Sequence, residues 1–349
     1  MKQFTIGDKK IGDGCPVFIV AELSANHNQK FDLAVEHIKK AKEAGADAIK
    51  MQTYTPDTIT IDCRNEYFAI KQGTLWDGKT LYELYQEAYT PWEWQPKLKK
   101  IAEEEGLICF STPYDKTSVD FLEDMNVALY KVASFEINDI PLIEYIALKR
   151  KPIILSTGIA TLSDIELAVA TCRKAGNHQL ALLKCSSAYP TPIIEVNLRT
   201  IPNLAETFNT IVGISDYTLG ISVPVAAVAL GAKIIEKHFI INRTLGGPDS
   251  AFSLEFEEFK AMVQTIREVE QALGEVTYEL TEKQKKSKTF SRSLFVVEDI
   301  KKGEIITEQN VRSIRPYYGL APVCMKDILW KKIKRNITKG TPVTWDIFE

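Results

Sequence analysis

The chain has 349 residues, of which 45% are hydrophobic and 26% are charged, a balance typical of a folded globular protein. Its net charge of −3 argues against nucleic acid as the main partner. Met1–Lys10 contains no apolar stretch of the kind that forms a signal peptide, and no run approaches the roughly 20 apolar residues that a membrane span needs. We therefore expect a cytoplasmic protein that binds neither nucleic acid nor membrane.

The cysteines are scattered along the chain and form no C-x-x-C pair. Several stand in apolar runs, as Cys109 does in Leu107–Phe110, where a cysteine usually serves as a small hydrophobic residue. We therefore expect free thiols and a reducing compartment.

Short apolar or β-branched runs alternate with longer helical patterns along most of the chain. The predicted strands are Val17–Leu23, Ala48–Tyr54, Leu107–Thr112, Leu129–Ser134, Pro152–Thr157, Leu180–Cys185, Thr210–Ser215 and Lys233–Phe239. A helix predicted over Asp32–Ala44 has apolar residues at helical spacing, and Gly45 follows it where a helix commonly ends. Thr161 or Ser163 would cap the helix that Gly176 ends.

Strand-then-helix units in series predict a parallel α/β barrel of the TIM type, with eight strands, over residues 1–274. A doubly wound open sheet is the competing fold. The composition changes after residue 274, and the polar segment 275–289, rich in Lys, Glu and Thr, predicts a linker. Short strands and turns over residues 290–349 predict a small β-rich second domain.

Nearly every predicted strand ends in polar or small residues, as in Glu22–Ser24, Lys50–Gln52 and Ser215–Tyr217. Barrel enzymes place their chemistry at the C-terminal ends of the strands. Because an unpaired buried charge costs several kcal/mol, a purely structural barrel has no reason to carry charges there. The pattern therefore favours an enzyme.

Lysines stand at the ends of three predicted strands, at Lys50, Lys131 and Lys184, and Lys237 lies near the end of a fourth. Two uses would justify them. They would clamp a phosphate and a carboxylate together, or Lys131 or Lys184 would form a Schiff base with a carbonyl. Neighbouring hydroxyls favour the clamp, because they satisfy phosphate lone pairs without adding charge. These hydroxyls belong to Ser111, Thr112, Ser134, Ser156, Thr157, Ser186, Ser187 and Ser215.

Carboxylates and one histidine lie near the same strand ends. The carboxylates are Glu22, Glu136, Asp216, Glu236 and Asp249, and ion pairing with the lysines is the simplest role for each. Glu22 and Glu136 directly follow strands, which favours them for proton transfer or hydroxyl binding. His238 is either a structural residue or a metal ligand.

The segments that carry these residues resemble the sialic acid synthase family. They are Ala21–His27, Lys50–Tyr54, Phe110–Pro113, Tyr130–Glu136, Ser156–Gly158, Tyr189–Pro192 and Ile235–Phe239. The stretch Ser291–Glu349 resembles the antifreeze-like (SAF) domain of that family. The resemblance implies a TIM-type barrel followed by an SAF domain. It also implies an enzyme that condenses phosphoenolpyruvate with an amino-sugar aldehyde and releases phosphate.

Within that family, Leu75–Tyr85 and Thr90–Trp94 resemble the pseudaminic acid branch, whose sugar is a 2,4-diacetamido-2,4,6-trideoxyhexose. An aromatic-rich insertion over the site would suit a methyl and two acetamido groups. An ordinary amphipathic helix would explain the spacing of Leu81, Leu84 and Tyr85 equally well. The alternatives with the same chemistry are the N-acetylneuraminate and legionaminic acid branches.

The resemblance also implies roles for individual residues. The phosphoenolpyruvate ligands would be Lys50, Thr112, Lys131, Ser134, Ser156, Ser187 and Ser215. Catalysis would use Glu22, Lys131 and Glu136, while the sugar would contact Gln52, Tyr189, Asp249 and Arg315. A divalent metal (Mn²⁺, Mg²⁺ or Co²⁺) would polarise the aldehyde. The family's homodimer would bring Arg315 of one subunit to the sugar site of the other.

One position departs from the family pattern. The metal is usually held by two histidines, one in a Ser-Asp-His stretch and one matching His238, but this chain has Tyr217 in the first position. A neutral phenol with a pKa near 10 is a poor ligand. Either Tyr217 binds the metal weakly, Asp216 or water replaces it, or His238 and the substrate hold the ion.

Two readings from other classes remain open in the sequence. One is an aldolase that binds pyruvate as a Schiff base, which borohydride trapping of an adduct would support. The other is a non-catalytic sugar-binding or ice-binding protein, suggested only by the C-terminal domain. The polar strand ends count against the second.

Overall fold

We describe the protein from a computed structural model, which covers residues 2–71 and 73–349. The chain divides into two compact units, one ending at Gly274 and one beginning at Glu275. Strands of the first unit are β1 (Gln3–Ile6), β2 (Lys9–Gly12), β3 (Phe18–Glu22), β4 (Ala48–Thr53), β5 (Ile108–Pro113), β6 (Tyr130–Val132), β7 (Ile153–Ser156), β8 (Leu180–Cys185), β9 (Ile211–Asp216) and β10 (Ile234–His238).

The first unit also contains the helices that surround the strands. They are α1 (Phe31–Glu43), α2 (Pro56–Ile59), α3 (Leu81–Ala88), α4 (Gln95–Glu104), α5 (Lys116–Asp124), α6 (Ile140–Ala147), α7 (Leu162–Lys174), α8 (Thr200–Phe208), α9 (Ser222–Ala229) and α10 (Phe256–Leu273). Short 3₁₀ helices lie at Trp92–Trp94, Ser134–Glu136, Ile193–Glu195, Arg243–Leu245 and Ser250–Phe252.

Within the described residues, eight parallel strands close into a barrel in the order β10-β3-β4-β5-β6-β7-β8-β9. The predicted TIM-type barrel is therefore confirmed, and each predicted strand is found within a residue or two of its predicted bounds. Side chains alternate across each strand, so one set fills the interior and the other packs under the helices. Val20, Phe110 and Ile154 belong to the inner cluster, whereas Ile19, Ile49 and Leu155 belong to the outer one.

Local sequence explains where the helices begin and end. Helix α1 buries Ala34, Ile38 and Ala41 along one stripe, and a fully buried Ile contributes about 1.5–3 kcal/mol. Gly45 follows with a φ of +93°, the left-handed region that favours glycine. Helix α7 begins at the predicted cap, because the Thr161 side chain accepts a hydrogen bond from the Asp164 backbone N–H.

The hairpin formed by β1 and β2 was not expected from the sequence. These antiparallel strands pair Phe4 with Ile11 and Ile6 with Lys9. Phe4, Ile6 and Ile11 join the same apolar cluster as the inner barrel residues. The hairpin therefore completes the interior core at the end of the barrel where the strands begin.

The second unit has its own small core. It contains α11 (Glu282–Ser287), β11 (Ser293–Val296), β12 (Val311–Ile314), α12 (Met325–Ile328) and 3₁₀ turns at Lys288–Phe290, Pro322–Cys324 and Trp345–Ile347. Strands β11 and β12 are antiparallel, and Leu294, Val296 and Val343 are buried between them and the surrounding turns. The predicted linker thus includes a short exposed helix, capped by Thr281. Across the described residues no helix has the length and apolarity to cross a membrane.

Candidate active site

A cavity of about 340 Å³ opens at the C-terminal ends of the barrel strands. Charged side chains at its base come from the strands, and aromatic side chains from the loops form its upper walls. The predicted site residues that line it are Lys50, Gln52, Lys131, Ser134, Glu136, Tyr189, Tyr217, His238 and Asp249. A volume of this size is typical of small-molecule sites.

Two buried lysines share one carboxylate at the base of the cavity. Lys50 on β4, Lys131 on β6 and Glu236 on β10 all occupy inward positions of their strands. Glu236 Oε1 lies 3.6 Å from Lys50 Nζ and 3.9 Å from Lys131 Nζ. The other carboxylate oxygen of Glu236 is buried without a hydrogen-bond partner among the described residues. Three charges from separate strands therefore converge away from water.

Burial and charge act in opposite directions on these groups. Burial alone would lower the pKa of Lys50, but the carboxylates of Glu22 and Glu236 outweigh it and raise the pKa. At Lys131 burial dominates and lowers the pKa, with Glu236 opposing it only in part. Burial would raise the pKa of Glu236, but Lys131 and Lys50 bring it below its ordinary value. Glu236 is thus an anion that balances the two lysines.

Glu22 at the end of β3 is the second partner of Lys50. Its Oε2 lies 2.6 Å from Lys50 Nζ, and its Oε1 accepts a hydrogen bond from Gln52 Nε2 at 3.1 Å. Burial, reinforced by Glu236 and opposed by Lys50, raises the pKa of Glu22 to about 7. Glu22 can therefore exist in both protonation states near neutral pH.

Some of the predicted hydroxyl groups lie beside Lys50 and Lys131, whereas Ser111, Thr157 and Ser186 form hydrogen bonds elsewhere. Lys131 Nζ donates to Ser156 Oγ at 2.7 Å, and Lys50 Nζ donates to Thr112 Oγ1 at 3.4 Å. Ser215 Oγ donates to Glu236 Oε1 at 2.9 Å. These three hydroxyls therefore lie within hydrogen-bond distance of the charged groups at the base of the cavity.

A second pair of hydroxyls crosses from β6 to β8. Ser134 Oγ and Ser187 Oγ are 2.7 Å apart. Gly158, on the intervening β7 loop, leaves room for this pair, since a Cβ there would lie 2.1 Å from Ser187 Oγ. The absence of a side chain at Gly158 thus keeps the two serines together.

Two of the four lysines predicted at the strand ends face away from the cavity. Lys50 and Lys131 remain as the pair at its base. Lys184 lies in the outward set of β8 with Leu182, and its Nζ donates to the Cys185 carbonyl at 2.6 Å. Lys237 is buried on the outer face of β10, 2.5 Å from Asp216 Oδ2. Strand alternation places both between the barrel and the helices. The prediction that Lys184 joins Lys50 and Lys131 is therefore wrong.

Glu136 follows β6 in the 3₁₀ turn Ser134–Glu136 and lines the cavity. Its Oε2 is buried and has no hydrogen-bond partner among the described residues. Burial, opposed by Lys131, raises its pKa to about 7. A carboxyl of this kind suits proton transfer near neutral pH.

Aromatic rings from the loops after the strands form the upper wall. Tyr189 lies with its ring centroid 4.6 Å from that of Tyr217 and 5.2 Å from that of Phe252. Trp76, from the segment between α2 and α3, lies 5.6 Å from Tyr189. The cavity therefore combines a charged base with an apolar upper part.

The residues present fit a divalent metal only in part. His238 Nδ1 is buried, has no hydrogen-bond partner in the described part of the chain and lies 3.8 Å from Asp249 Oδ2, so these two side chains could serve as metal ligands. Burial lowers the pKa of His238 well below its usual range, which keeps the imidazole neutral as a metal ligand requires. Burial raises the pKa of Tyr217 well above its usual range, and a neutral phenol is a poor ligand. No group of three or more His, Cys, Asp or Glu side chains arranged for a metal occurs within the described ranges.

Some site residues were not identified from the sequence. Glu236 was expected only to pair with a lysine and Phe252 was not named, whereas Trp76 lies in the aromatic-rich segment 75–85 that was predicted to cover the site. The strand register would have located Glu236, because it pairs with Ser215 on β9. Arg315 belongs to the second unit, where it lies exposed directly after β12.

The fold and cavity define a parallel-barrel enzyme whose cavity has two buried lysines paired with carboxylates at its base. A model of the NeuB family matches residues 37–278, and a model of the SAF domain matches residues 291–349. The chain belongs to the NeuB family and is an enzyme. The resemblance inferred from its motifs is therefore confirmed.

Named relatives agree with this assignment. A pseudaminic acid synthase of Campylobacter jejuni is 49% identical over 93% of this chain and 94% of its own length. A pseudaminic acid synthase of Helicobacter pylori is 47% identical over 96% of this chain and 98% of its own length. Among solved structures, the N-acetylneuraminic acid synthetase of Leptospira borgpetersenii is 33% identical, with a TM-score of 0.73 over 82% of this chain and 95% of that chain.

Proposed function

We propose that the chain condenses phosphoenolpyruvate and water with a 2,4-diacetamido-2,4,6-trideoxyhexose to give pseudaminic acid and phosphate. The observation that carries the proposal is the convergence of Lys50 and Lys131 on Glu236 at the base of an aromatic-walled cavity. The names of the relatives at 47–49% identity support the sugar.

Phosphoenolpyruvate carries a carboxylate and a phosphate on adjacent atoms, and two cations a few ångströms apart match that pattern. Lys131 with Ser156 would bind one anionic group, and Lys50 with Thr112 the other. The Ser134–Ser187 pair and Ser215 would supply further hydroxyls. Glu236 would keep the two ammonium groups together before substrate arrives.

The sugar would occupy the part of the cavity above the lysines. Its reacting aldehyde must lie beside phosphoenolpyruvate, so its remaining carbons extend towards the aromatic loops. Gln52, Tyr189 and Asp249 line this region and would contact its polar groups. The rings of Tyr189 and Phe252 suit a methyl and acetamido groups better than they suit a chain of free hydroxyls.

The reaction would proceed by carbon–carbon bond formation and then hydration. The C2=C3 electron pair of phosphoenolpyruvate attacks the aldehyde carbon, and the aldehyde oxygen takes a proton. Water then adds at the cationic C2, and the C2–O bond to phosphate breaks. One proton of the water accounts for the proton that the aldehyde oxygen takes up, and the other leaves with phosphate as C2 becomes a ketone. Glu22 and Glu136, whose pKa values burial raises to about 7, would transfer these protons and stabilise the positive charge at C2.

A divalent metal such as Mn²⁺, Mg²⁺ or Co²⁺ is the cofactor that we propose. His238 and Asp249 would hold it, with substrate and water completing its coordination. When bound, it would supply Lewis-acid polarisation of the aldehyde oxygen. Tyr217 would serve as part of the cavity wall.

We further propose that the enzyme acts in the cytoplasm as a homodimer in which Arg315 of one subunit contacts the sugar bound by the other. Exposure of Arg315 within its own unit supports this. Subunit exchange between an Arg315→Ala chain and a Lys131→Met chain tests it, because mixed dimers would recover activity in one of their two sites.

The function is tested by incubating the chain with phosphoenolpyruvate and each candidate sugar and measuring released phosphate and product mass. We expect the 2,4-diacetamido-2,4,6-trideoxyhexose to react faster than N-acetylmannosamine or the legionaminic acid precursor. No phosphate release with any of these sugars would contradict the proposal. A pyruvate adduct at Lys131 trapped by borohydride would favour the Schiff-base aldolase instead.

A further inference from the structure

Trp76 separates the active-site cavity from a neighbouring one. The second cavity measures about 430 Å³ and is lined by Trp76 and Pro248 together with Leu75, Lys79, Glu87 and Gly247. Trp76 and Pro248 also line the active-site cavity. The half-buried indole therefore stands as a partition between an aromatic interior and a groove that carries the Lys79–Glu87 ion pair.

The indole is fixed from two sides. Its Nε1 donates to the Pro248 carbonyl oxygen at 3.0 Å, which ties it to the loop that carries Asp249. Its ring packs edge-on against Phe252, with 6.5 Å between the ring centroids, and lies tilted against Tyr189, with 5.6 Å between the centroids. A tryptophan held by a hydrogen bond and two rings presents a rigid apolar surface.

The backbone around Trp76 is also ordered by local contacts. Thr80 forms a capping box with Glu83 at the start of α3 and a bridge with Ala69. The Thr74 backbone N–H donates to Asp77 Oδ1 at 2.9 Å. The indole position is therefore set by the chain before any ligand binds.

We infer that Trp76 is a specificity-determining residue that selects a sugar with a methyl group, and not a hydroxymethyl group, at its C6 end. This inference rests on the proposed function. The aldehyde end of the sugar lies at the lysines, so C6 lies towards the loops. The indole N–H already donates to the Pro248 carbonyl oxygen. A C6 hydroxyl packed against the indole would therefore lose its hydrogen bonds to water and would not receive one from the indole in return. A methyl group loses nothing there.

The test compares Trp76→Ala and Trp76→Leu with the wild type on two sugars, the 2,4-diacetamido-2,4,6-trideoxyhexose (the deoxy sugar) and the matching 2,4-diacetamido-2,4-dideoxyhexose, which differs from it only by a hydroxyl at C6. We expect the wild-type preference in kcat/KM for the deoxy sugar to fall about tenfold or more in both variants, since an apolar contact of this size is worth roughly that factor. The KM for phosphoenolpyruvate should stay within about twofold. Trp76→Leu keeps an apolar filler and remains informative if the alanine variant does not fold.

Trp92→Phe is the matched control, because Trp92 stacks on Phe121 at 4.7 Å and does not line the cavity. Its sugar preference should equal that of the wild type. A Trp76 variant whose kcat/KM falls by the same factor on both sugars keeps the wild-type preference. That result would overturn the inference while leaving the proposed function intact. A wild-type chain that converts neither sugar would overturn both.

Discussion

Glu236 Oε1 lies 3.9 Å from Lys131 Nζ at the base of the cavity, and both side chains are almost completely buried. The same oxygen is 3.6 Å from Lys50 Nζ. One carboxylate therefore serves two cations that come from different strands. Substrate anions would contact ammonium groups whose positions are already set, which lowers the cost of ordering them on binding.

Removing either inward lysine should weaken phosphoenolpyruvate binding. We expect Lys131→Met to lower kcat/KM for phosphoenolpyruvate by about a hundredfold or more, because a buried charged contact is worth 2–5 kcal/mol. Steady-state kinetics measures this. Lys184→Met is the matched control, since Lys184 faces the helices, and it should leave KM for phosphoenolpyruvate unchanged. Equal losses in the two variants would contradict the assignment.

Neutralising Glu236 should destabilise the free protein. Glu236→Gln leaves two buried ammonium groups without their shared anion, which costs about 3 kcal/mol. Thermal denaturation should show a lower Tm, and phosphoenolpyruvate should raise the Tm by more than it does in the wild type. Glu104→Gln, in an exposed pair with Lys100, should change little. An unchanged Tm in Glu236→Gln would mean that Glu236 is not the balancing charge.

The fold could be predicted from the sequence because its signals are local. Alternating apolar runs and helical stripes locate the strands, and Gly45 and Thr161 mark helix ends. The β1–β2 hairpin was missed because it is short and its burial depends on the open end of the barrel. Burial of that kind is a tertiary property that a local pattern does not contain.

The site was harder to predict, because alternation alone does not say which face of a strand points inward. Lys131 and Lys184 stand in similar apolar runs, yet Lys131 faces the cavity and Lys184 the helices. Register between neighbouring strands decides this, as when Glu22 pairs with Lys50. For the same reason, the sequence did not show that Glu236 points into the cavity between two lysines.

Glu136 should control the pH dependence. Burial raises its pKa to about 7, so its ionised fraction falls below one half as the pH drops below that value. If the carboxylate is the active form, kcat/KM should rise between about pH 6 and pH 8. Glu136→Gln should remove this rise and lower kcat by about 10²–10⁴-fold. A rise that survives in Glu136→Gln would assign it to Glu22, whose pKa is also about 7.

Gly158 should tolerate no side chain while Ser187 is present. A methyl group in Gly158→Ala would lie 2.1 Å from Ser187 Oγ and would displace it from Ser134. We expect kcat/KM for phosphoenolpyruvate to fall about tenfold or more. The double variant Gly158→Ala/Ser187→Ala should be no worse than Gly158→Ala alone, because both changes disrupt the same pair. Additive losses would contradict this coupling.

The metal proposal predicts which side chains affect Mn²⁺ binding. His238→Ala and Asp249→Asn should each weaken Mn²⁺ affinity by about tenfold or more, as measured by electron paramagnetic resonance of free Mn²⁺ in the presence of phosphoenolpyruvate. Tyr217→Phe should leave the affinity unchanged, since a neutral phenol contributes little. Loss of Mn²⁺ binding in Tyr217→Phe would instead make the phenol a ligand.

The central claim is that the two lysines hold phosphoenolpyruvate beside an amino-sugar aldehyde for condensation with cleavage of the C–O bond. Mass spectrometry of the products formed from phosphoenolpyruvate labelled with ¹⁸O at the bridging oxygen tests it most directly. We expect the label in phosphate and a product containing all carbons of the 2,4-diacetamido-2,4,6-trideoxyhexose and of the enolpyruvyl group. Label retained in the organic product, or no condensation product at all, would contradict the account.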